Sequence, residues 1–337
     1  MKLLKNKWLL LFIVLSILLS VSFGIGNYFV NYALSPTSDS DQRNVEDTVK
    51  ASDKDQTIIA SNKSQENQKG ELFQKNLNTM NIGVNTDVIV EAKYKEHKNQ
   101  HNWVILVHGY KSSNKNMMSY GAEYYQRGYN VLLPDNRAHG DSGGDYIGMG
   151  WLDKDDILCW IDWIVEKDKD AKIIVHGVSM GGATTMMLSG ENSHYVVGYI
   201  EDCGYTSVWD IFASELDKRF SLPTFPVLDI SNVVAQMRAG YSFKEASSIE
   251  QVKKCQKPML FIHGGKDDFV PTSMVYEVYK AATCVKDMYI VEQAGHAEAK
   301  DYNPKAYWNK VFDFINKNIL TFPRTQYHNF IKKSCIK

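Results

Sequence analysis

Lys172-Ile173-Ile174-Val175-His176-Gly177-Val178-Ser179-Met180-Gly181-Gly182-Ala183-Thr184-Thr185-Met186-Met187-Leu188-Ser189 reads as a strand, a tight turn and a helix in immediate succession. Lys172 to His176 reads as a strand, with Ile173 to Val175 its apolar centre. Met180 to Ser189 has the length and composition of a helix. The turn between them holds Gly-x-Ser-x-Gly, which chance alone would supply about 0.1 times in a chain this long. Its position between strand and helix makes it informative. A serine there is held in a strained backbone conformation, and the flanking glycines let strand and helix approach without a side-chain clash. The competing reading is an ordinary glycine-rich strand-to-helix turn.

A serine hydroxyl is a poor nucleophile until a base takes its proton. For this turn the base is expected late in the chain, in a loop at the carboxyl end of a strand. His296, in Glu292-Gln293-Ala294-Gly295-His296-Ala297, follows the strand-like run Met288 to Val291. His263 and His176 also lie at strand ends, but both precede a glycine turn and read as structural. The acid should follow the preceding strand. There Lys266-Asp267-Asp268-Phe269-Val270-Pro271 offers two adjacent carboxylates, and spacing favours Asp267 over Asp268. Such a carboxylate fixes the imidazole tautomer and stabilises the imidazolium formed in the reaction. A developing oxyanion needs two N–H donors. The expected ones are the backbone amides of Met180 and of Tyr110, the latter in Val107-His108-Gly109-Tyr110, with the Tyr110 ring lining the pocket.

Working outward, strand-like and helix-like runs alternate. Asp87–Tyr94, Trp103–Val107, Tyr129–Leu133, Tyr195–Ile200, Met259–Ile262 and Met288–Val291 read as strands. Asn114–Gln126, Trp151–Val165, Met274–Ala282 and Ala306–Asn318 read as helices between or after them. This order predicts an α/β fold with a mostly parallel sheet and right-handed crossovers. The interval from about 205 to 257 carries no convincing strand but several short amphipathic pieces around Pro223 and Pro226. It reads as a helical lid over the carboxyl ends of the strands, where open α/β sheets bind ligands.

Taken in order, Val107-His108-Gly109-Tyr110, Asp135-Asn136-Arg137-Ala138-His139-Gly140-Asp141-Ser142, the serine turn and His263-Gly264-x-x-Asp267-x-x-Val270-Pro271 resemble the α/β-hydrolase superfamily. They look most like bacterial, single-anchor, extracytoplasmic hydrolases related to the prolyl-oligopeptidase-like and serine-aminopeptidase-like groups. The resemblance covers about residues 86 to 320. It implies Ser179 as nucleophile, His296 as base, Asp267 as acid, and Tyr110 and Met180 as oxyanion donors. The Asp135–Ser142 loop and the turn Glu201-Asp202-Cys203-Gly204-Tyr205 resemble structural markers of the family.

The N-terminus asks for separate treatment. Lys2, Lys5 and Lys7 precede an uncharged stretch from Trp8 to Ser38. About 20 apolar residues span the roughly 30 Å hydrocarbon core of a bilayer, and lysines before the span orient it with its N-terminus in the cytoplasm. Residues 1–34 are therefore read as a signal-anchor, the remainder being extracytoplasmic. Cleavage near Ser22-Phe23-Gly24 and secretion is the alternative. Residues 35–75 are polar and nearly free of aromatics, the composition of a linker. Residues 76–320 form the expected hydrolase domain and 321–337 a basic tail.

The 337 residues carry a formal net charge of −1, which argues against a nucleic-acid surface. Cys159, Cys203, Cys255, Cys284 and Cys335 have no Cys-x-x-Cys spacing, so no metal centre is expected, and no organic cofactor is implied. The expected reaction is cleavage of a carboxylic ester or thioester through an acyl-enzyme. A serine peptidase acting on short peptides is the alternative, for which Glu215, Asp217 and Asp229 offer lid carboxylates. A catalytically silent binding module on the same scaffold is a third reading.

Overall fold

Residue alternation along the central strands decides the layering. In β3 (Asn102–Val107), Trp103, Ile105 and Val107 point to one face and Val104 and Leu106 to the other, all fully buried. A strand apolar on both faces must be covered on both, and helices do the covering. The computed structural model describes residues 2–37, 53–84 and 88–321. Most of the expected basic tail, residues 38–52 of the expected linker, and Asp87 lie outside these.

Among the described residues, eight strands form one sheet in the order β1-β2-β4-β3-β5-β6-β7-β8. β1 (Asn78–Gly83) and β2 (Ile89–Lys95) are antiparallel to their neighbours. From β4 (Asn130–Pro134) through β3, β5 (Lys172–Val178), β6 (Val196–Asp202), β7 (Met259–Gly264) and β8 (Lys286–Val291), every pair is parallel. Helices α4 (Asp153–Lys167), α5 (Met180–Ser189) and α9 (Ser273–Ala281) cover one face, with Trp160, Trp163, Met186 and Val275 against the strands. Helices α3 (Met118–Gln126) and α10 (Pro304–Phe314) cover the other through Tyr124, Trp308 and Val311. The chain is an α/β-hydrolase-type fold.

Two local expectations need correction. β1, not anticipated from the sequence, forms a hairpin with β2. The polar linker expected at 35–75 contains a 22-residue helix, α2 (Asp53–Gln74), packed on the domain. Its inward face is Asp55, Ile59, Asn62, Glu66, Gly70 and Phe73, which is helical spacing with only two apolar side chains. Polar contacts hold the rest. Asn62 Nδ2 donates to the Asp301 carbonyl at 2.9 Å, and buried Glu66 lies 3.6 Å from Lys300 Nζ. Gly70 admits the α3 backbone, since a Cβ would sit 3.0 Å from Ser119 N.

Above the carboxyl ends of the strands, α6 (Val208–Phe220) and α7 (Thr224–Arg238) form a third apolar cluster, with α8 (Ser248–Val252) returning the chain to β7. The expected lid interval is thus helical. Helix α1 (Lys2–Leu34) joins the same cluster through Val30 and Leu34, both fully buried. A segment read from composition as an anchor alone also packs on the lid.

Candidate active site

Ser179 sits between β5 and α5 with φ +59° and ψ −119°, a strained conformation for a residue with a side chain. Neighbouring backbone enforces it. A Cβ at Gly177 would collide with the Gly181 carbonyl, and one at Gly181 with the carbonyl of Val107. The Ser179 amide donates to the Asp202 carbonyl at 2.8 Å, fixing the turn to β6. The first amides of α5, which begins at Met180, have no partner within the helix, as at any helix start.

The loop after β8 brings His296 to this turn. Its Nε2 lies 2.8 Å from Ser179 Oγ, and its Nδ1 lies 2.7 Å from Asp267 Oδ2. The three side chains expected from the sequence are thus joined in one hydrogen-bonded chain. Phe269 meets the His296 ring edge-on, with centroids 4.8 Å apart. The other oxygen of Asp267 accepts the amides of Phe269 and Val270 at 3.0 and 2.9 Å. Burial alone would push this carboxyl up, but the imidazoles of His296 and His263 hold it well below the usual carboxylate range. Asp267, rather than Asp268, is the carboxylate in contact with His296.

His263, read from the sequence as merely structural, supports the acid. Its Nε2 lies 2.9 Å from the Val270 carbonyl and 3.3 Å from Asp267 Oδ2. Burial opposes protonation of His263, yet Asp267 and Glu201 outweigh it and raise its pKa. Glu201, also buried, is pushed up to about 8 by desolvation and accepts the Gly204 amide at 2.9 Å. No sequence pattern announces these partners, because β6 and β7 bring them together only in the sheet.

The Val107–Tyr110 segment runs beside the serine, so a Cβ at Gly109 would come within 3.2 Å of Ser179 Cβ. Two imidazoles tie it to the Asp135–Ser142 loop, His108 from the segment itself and His139 from the loop. His108 Nδ1 donates to the Gly109 carbonyl at 2.7 Å, and its Nε2 accepts the Asn136 amide at 3.0 Å. His139 Nδ1 donates to the Arg137 carbonyl, and its Nε2 accepts the Lys111 amide at 3.0 Å. Each ring must be neutral to donate once and accept once. Desolvation lowers both, His108 to about 3. The marker loop therefore has a physical task, which is to hold the strip next to the nucleophile.

A cleft of about 830 Å³, including its open mouth, leads to Ser179. Met149, Ile211, Phe212, Leu216, Phe220 and Phe269 are among its walls, and the Tyr110 ring lines it as expected. Of the other lid aromatics, Phe225 is exposed and Trp209 packs under Lys244 Nζ at 4.1 Å. Glu215 reaches the cleft but is paired to Arg219 Nε at 2.7 Å.

Cys203, Asp267 and His296 have potential ligand atoms within 4.8 Å of one another. Their chemistry fits a metal poorly. Burial keeps the Cys203 thiol protonated, and both oxygens of Asp267 are engaged by amides and by His296.

Comparison with known proteins bears on the family and the fold. Residues 116–321 match the prolyl oligopeptidase family. The uncharacterized protein YqkD of Bacillus subtilis is 32% identical over 217 residues, covering 64% of this chain and 71% of that protein. Protein bem46 of Schizosaccharomyces pombe is 25% identical over 199 residues, covering 58% and 60%. An esterase from Pyrococcus furiosus superposes with a TM-score of 0.60 at 21% identity, over 72% of this chain and 93% of its own. An acylaminoacyl peptidase from Pyrococcus horikoshii gives 0.56 at 17%, over 77% and 45%. At such identities the solved structures speak for the fold, and the match over more than half of the sequence speaks for descent: the chain belongs to the prolyl oligopeptidase family and is a serine hydrolase of the α/β-hydrolase superfamily.

Proposed function

We propose that this hydrolase cleaves carboxylic esters through a covalent acyl-enzyme, with Ser179 as nucleophile, His296 as base and Asp267 as its orienting acid. His296 takes the hydroxyl proton as Ser179 Oγ bonds to the ester carbonyl carbon. The negative oxygen is stabilised by the backbone amides of Met180 and Tyr110. Collapse breaks the ester C–O bond, and His296 returns the proton to the departing alcohol. Water, deprotonated by the same imidazole, then releases the carboxylic acid and restores the serine.

The observation that carries this reading is the unbroken hydrogen-bond chain from Ser179 through His296 to Asp267, at the floor of an apolar cleft. The apolar walls favour an acyl chain. A peptidase reading draws support from the family and from the acylaminoacyl peptidase among the structural neighbours. It would need a carboxylate for a peptide's amino terminus, and Glu215, the carboxylate in the cleft, is held by Arg219. The N-terminal helix is long and apolar enough to cross a membrane, which supports an anchored enzyme with its domain outside the cytoplasm.

A fluorophosphonate probe and a substrate panel test the proposal. We expect labelling of the full chain that disappears in Ser179→Ala, and faster turnover of p-nitrophenyl esters than of aminoacyl nitroanilides. Preference for the anilides would establish the peptidase. A folded chain that takes no label would make it a binding module.

A further inference from the structure

Helix α1 has two parts that behave differently. From Trp8 to Phe23 nearly every large side chain is exposed and apolar. Beyond it the helix docks on the lid. Gly26 is a close-contact point, where a Cβ would lie 2.7 Å from Val234 Cγ2 and 2.9 Å from Ile230 Cγ2. Arg238 bonds Asn27 and Asn31, the latter at 2.9 Å, and Arg219 Nη1 donates to Tyr32 Oη at 3.0 Å. The Ile147 amide donates to the Leu34 carbonyl at 2.8 Å.

The docked part also faces the cleft. Phe29, Tyr32 and Ala33 line it together with Ser179 and Met180. Tyr110 Oη donates to the Ala33 carbonyl at 2.7 Å, tying the wall to the strip beside the nucleophile. Phe220 of the lid meets both Phe29 and Tyr32 edge-on, with centroids 5.2 and 5.3 Å apart.

Direction matters as well. Ile230 and Val234 lie against Gly26, while Arg238 reaches Asn27 and Asn31, so α7 and α1 run the same way. The start of α7 therefore lies toward the apolar part of α1. There Leu222 and Phe225 are exposed, Phe225 by 76%, and Val233 and Met237 continue an exposed apolar stripe along α7. A polar surface would be expected on a lid facing water. Twenty residues from Lys7 to Gly26 span about 30 Å, the thickness of the hydrocarbon core, so a spanning helix would leave the bilayer where docking begins.

We propose that α1 both holds the enzyme in the bilayer and forms one wall of its acyl-binding cleft, so that the substrate is a fatty acyl ester of a membrane lipid drawn in beside α1. This rests on Ser179 as the nucleophile. The acyl chain lies along Phe29, Tyr32 and Ala33, and its carbonyl carbon bonds to Ser179 Oγ as the lipid's ester C–O bond breaks. The Ser179 proton passes through His296 to the alcohol portion, and water then frees the fatty acid.

The test uses the full chain reconstituted in phosphatidylcholine–phosphatidylglycerol vesicles. Hydrolysis of 4-methylumbelliferyl oleate carried in the vesicles is compared with that of the soluble butyrate. The parent chain should favour the oleate. Ala33→Phe, which fills the wall, should lower the oleate-to-butyrate ratio at least tenfold, and Gly26→Leu, which parts α1 from α7, should lower it similarly. Phe29→Ala removes wall surface without adding bulk and should lower it too, so the answer stands even where Ala33→Phe folds poorly. Phe225→Asp should lower turnover of vesicle-borne oleate relative to the same ester in detergent micelles. A ratio unchanged in all three wall variants, or a parent chain that favours the butyrate, overturns the inference. Activity persisting in Ser179→Ala would instead strike the nucleophile assignment, a separate failure.

Discussion

The two sides of the cleft are built on different physics. On the sheet side, each group near Ser179 is fixed by several directional bonds: Asp267 accepts two amides and an imidazole, and two neutral histidines brace the strip at Gly109. On the lid side, α1, α6 and α7 meet through apolar packing with a few hydrogen bonds at the margin. Directional bonds set positions to fractions of an ångström, as bond-making requires. Apolar packing sets volume and tolerates change of shape. Chemistry and selectivity are thus assigned to separable parts of the molecule.

The largest effect that would break this division is on the sheet side. Asp267→Asn keeps an acceptor for the Phe269 and Val270 amides but presents an N–H to His296, forcing the wrong tautomer. Single-turnover kinetics should show a rate loss of about 10⁴-fold, while Asp268→Asn stays near the parent chain. A smaller effect is expected one layer out. His139→Phe keeps a ring but leaves the Lys111 amide without its acceptor, which loosens the strip beside Tyr110. Steady-state assays should give a kcat lower by about ten- to a hundredfold with KM little changed. A rise in KM at constant kcat would assign the loop to substrate binding.

The smallest effect on rate, but a clear one on stability, belongs to Glu201. Its folded pKa is raised by desolvation from an ordinary 4.5 to about 8. Between those values the native state holds a proton that the unfolded chain releases, so stability falls as pH rises through that window. Thermal melts from pH 5 to pH 8.5 should show Tm dropping in the parent chain and a flatter profile in Glu201→Gln. Parallel profiles would mean that Glu201 is ionised in the fold.

Local patterns were legible in the sequence and returning contacts were not. Ser179 stands in a turn whose glycines announce close backbone approach, and Asp267 and His296 each follow an apolar strand. The strand–helix alternation gave the sheet for the same reason. The full length of helix α2 escaped, beyond the short helix that Ile58 and Ile59 allow, because its inward face sets only two apolar side chains beside three polar ones and a glycine, so hydrophobic periodicity carries little signal although the spacing is helical. His263 and Glu201 acquire their roles only where β6 and β7 pair. The wall function of Phe29, Tyr32 and Ala33 was hidden by the apolar run before them, which reads as an anchor whatever its last turns touch.

One property of α1 sets a scale for the whole molecule. It is a single helix from Lys2 to Leu34, with no joint between its apolar length and its docked end. From Gly26 to Ala33 is seven residues, about 10 Å of axial rise. An enzyme on a flexible leash would sample a wide shell of heights and tilts, whereas a stiff mast fixes one altitude and one heading. If its lower part stands in a bilayer, the reactive hydroxyl is kept within a molecule's length of the headgroups, and reach becomes as strong a filter on what is cut as the shape of the cleft.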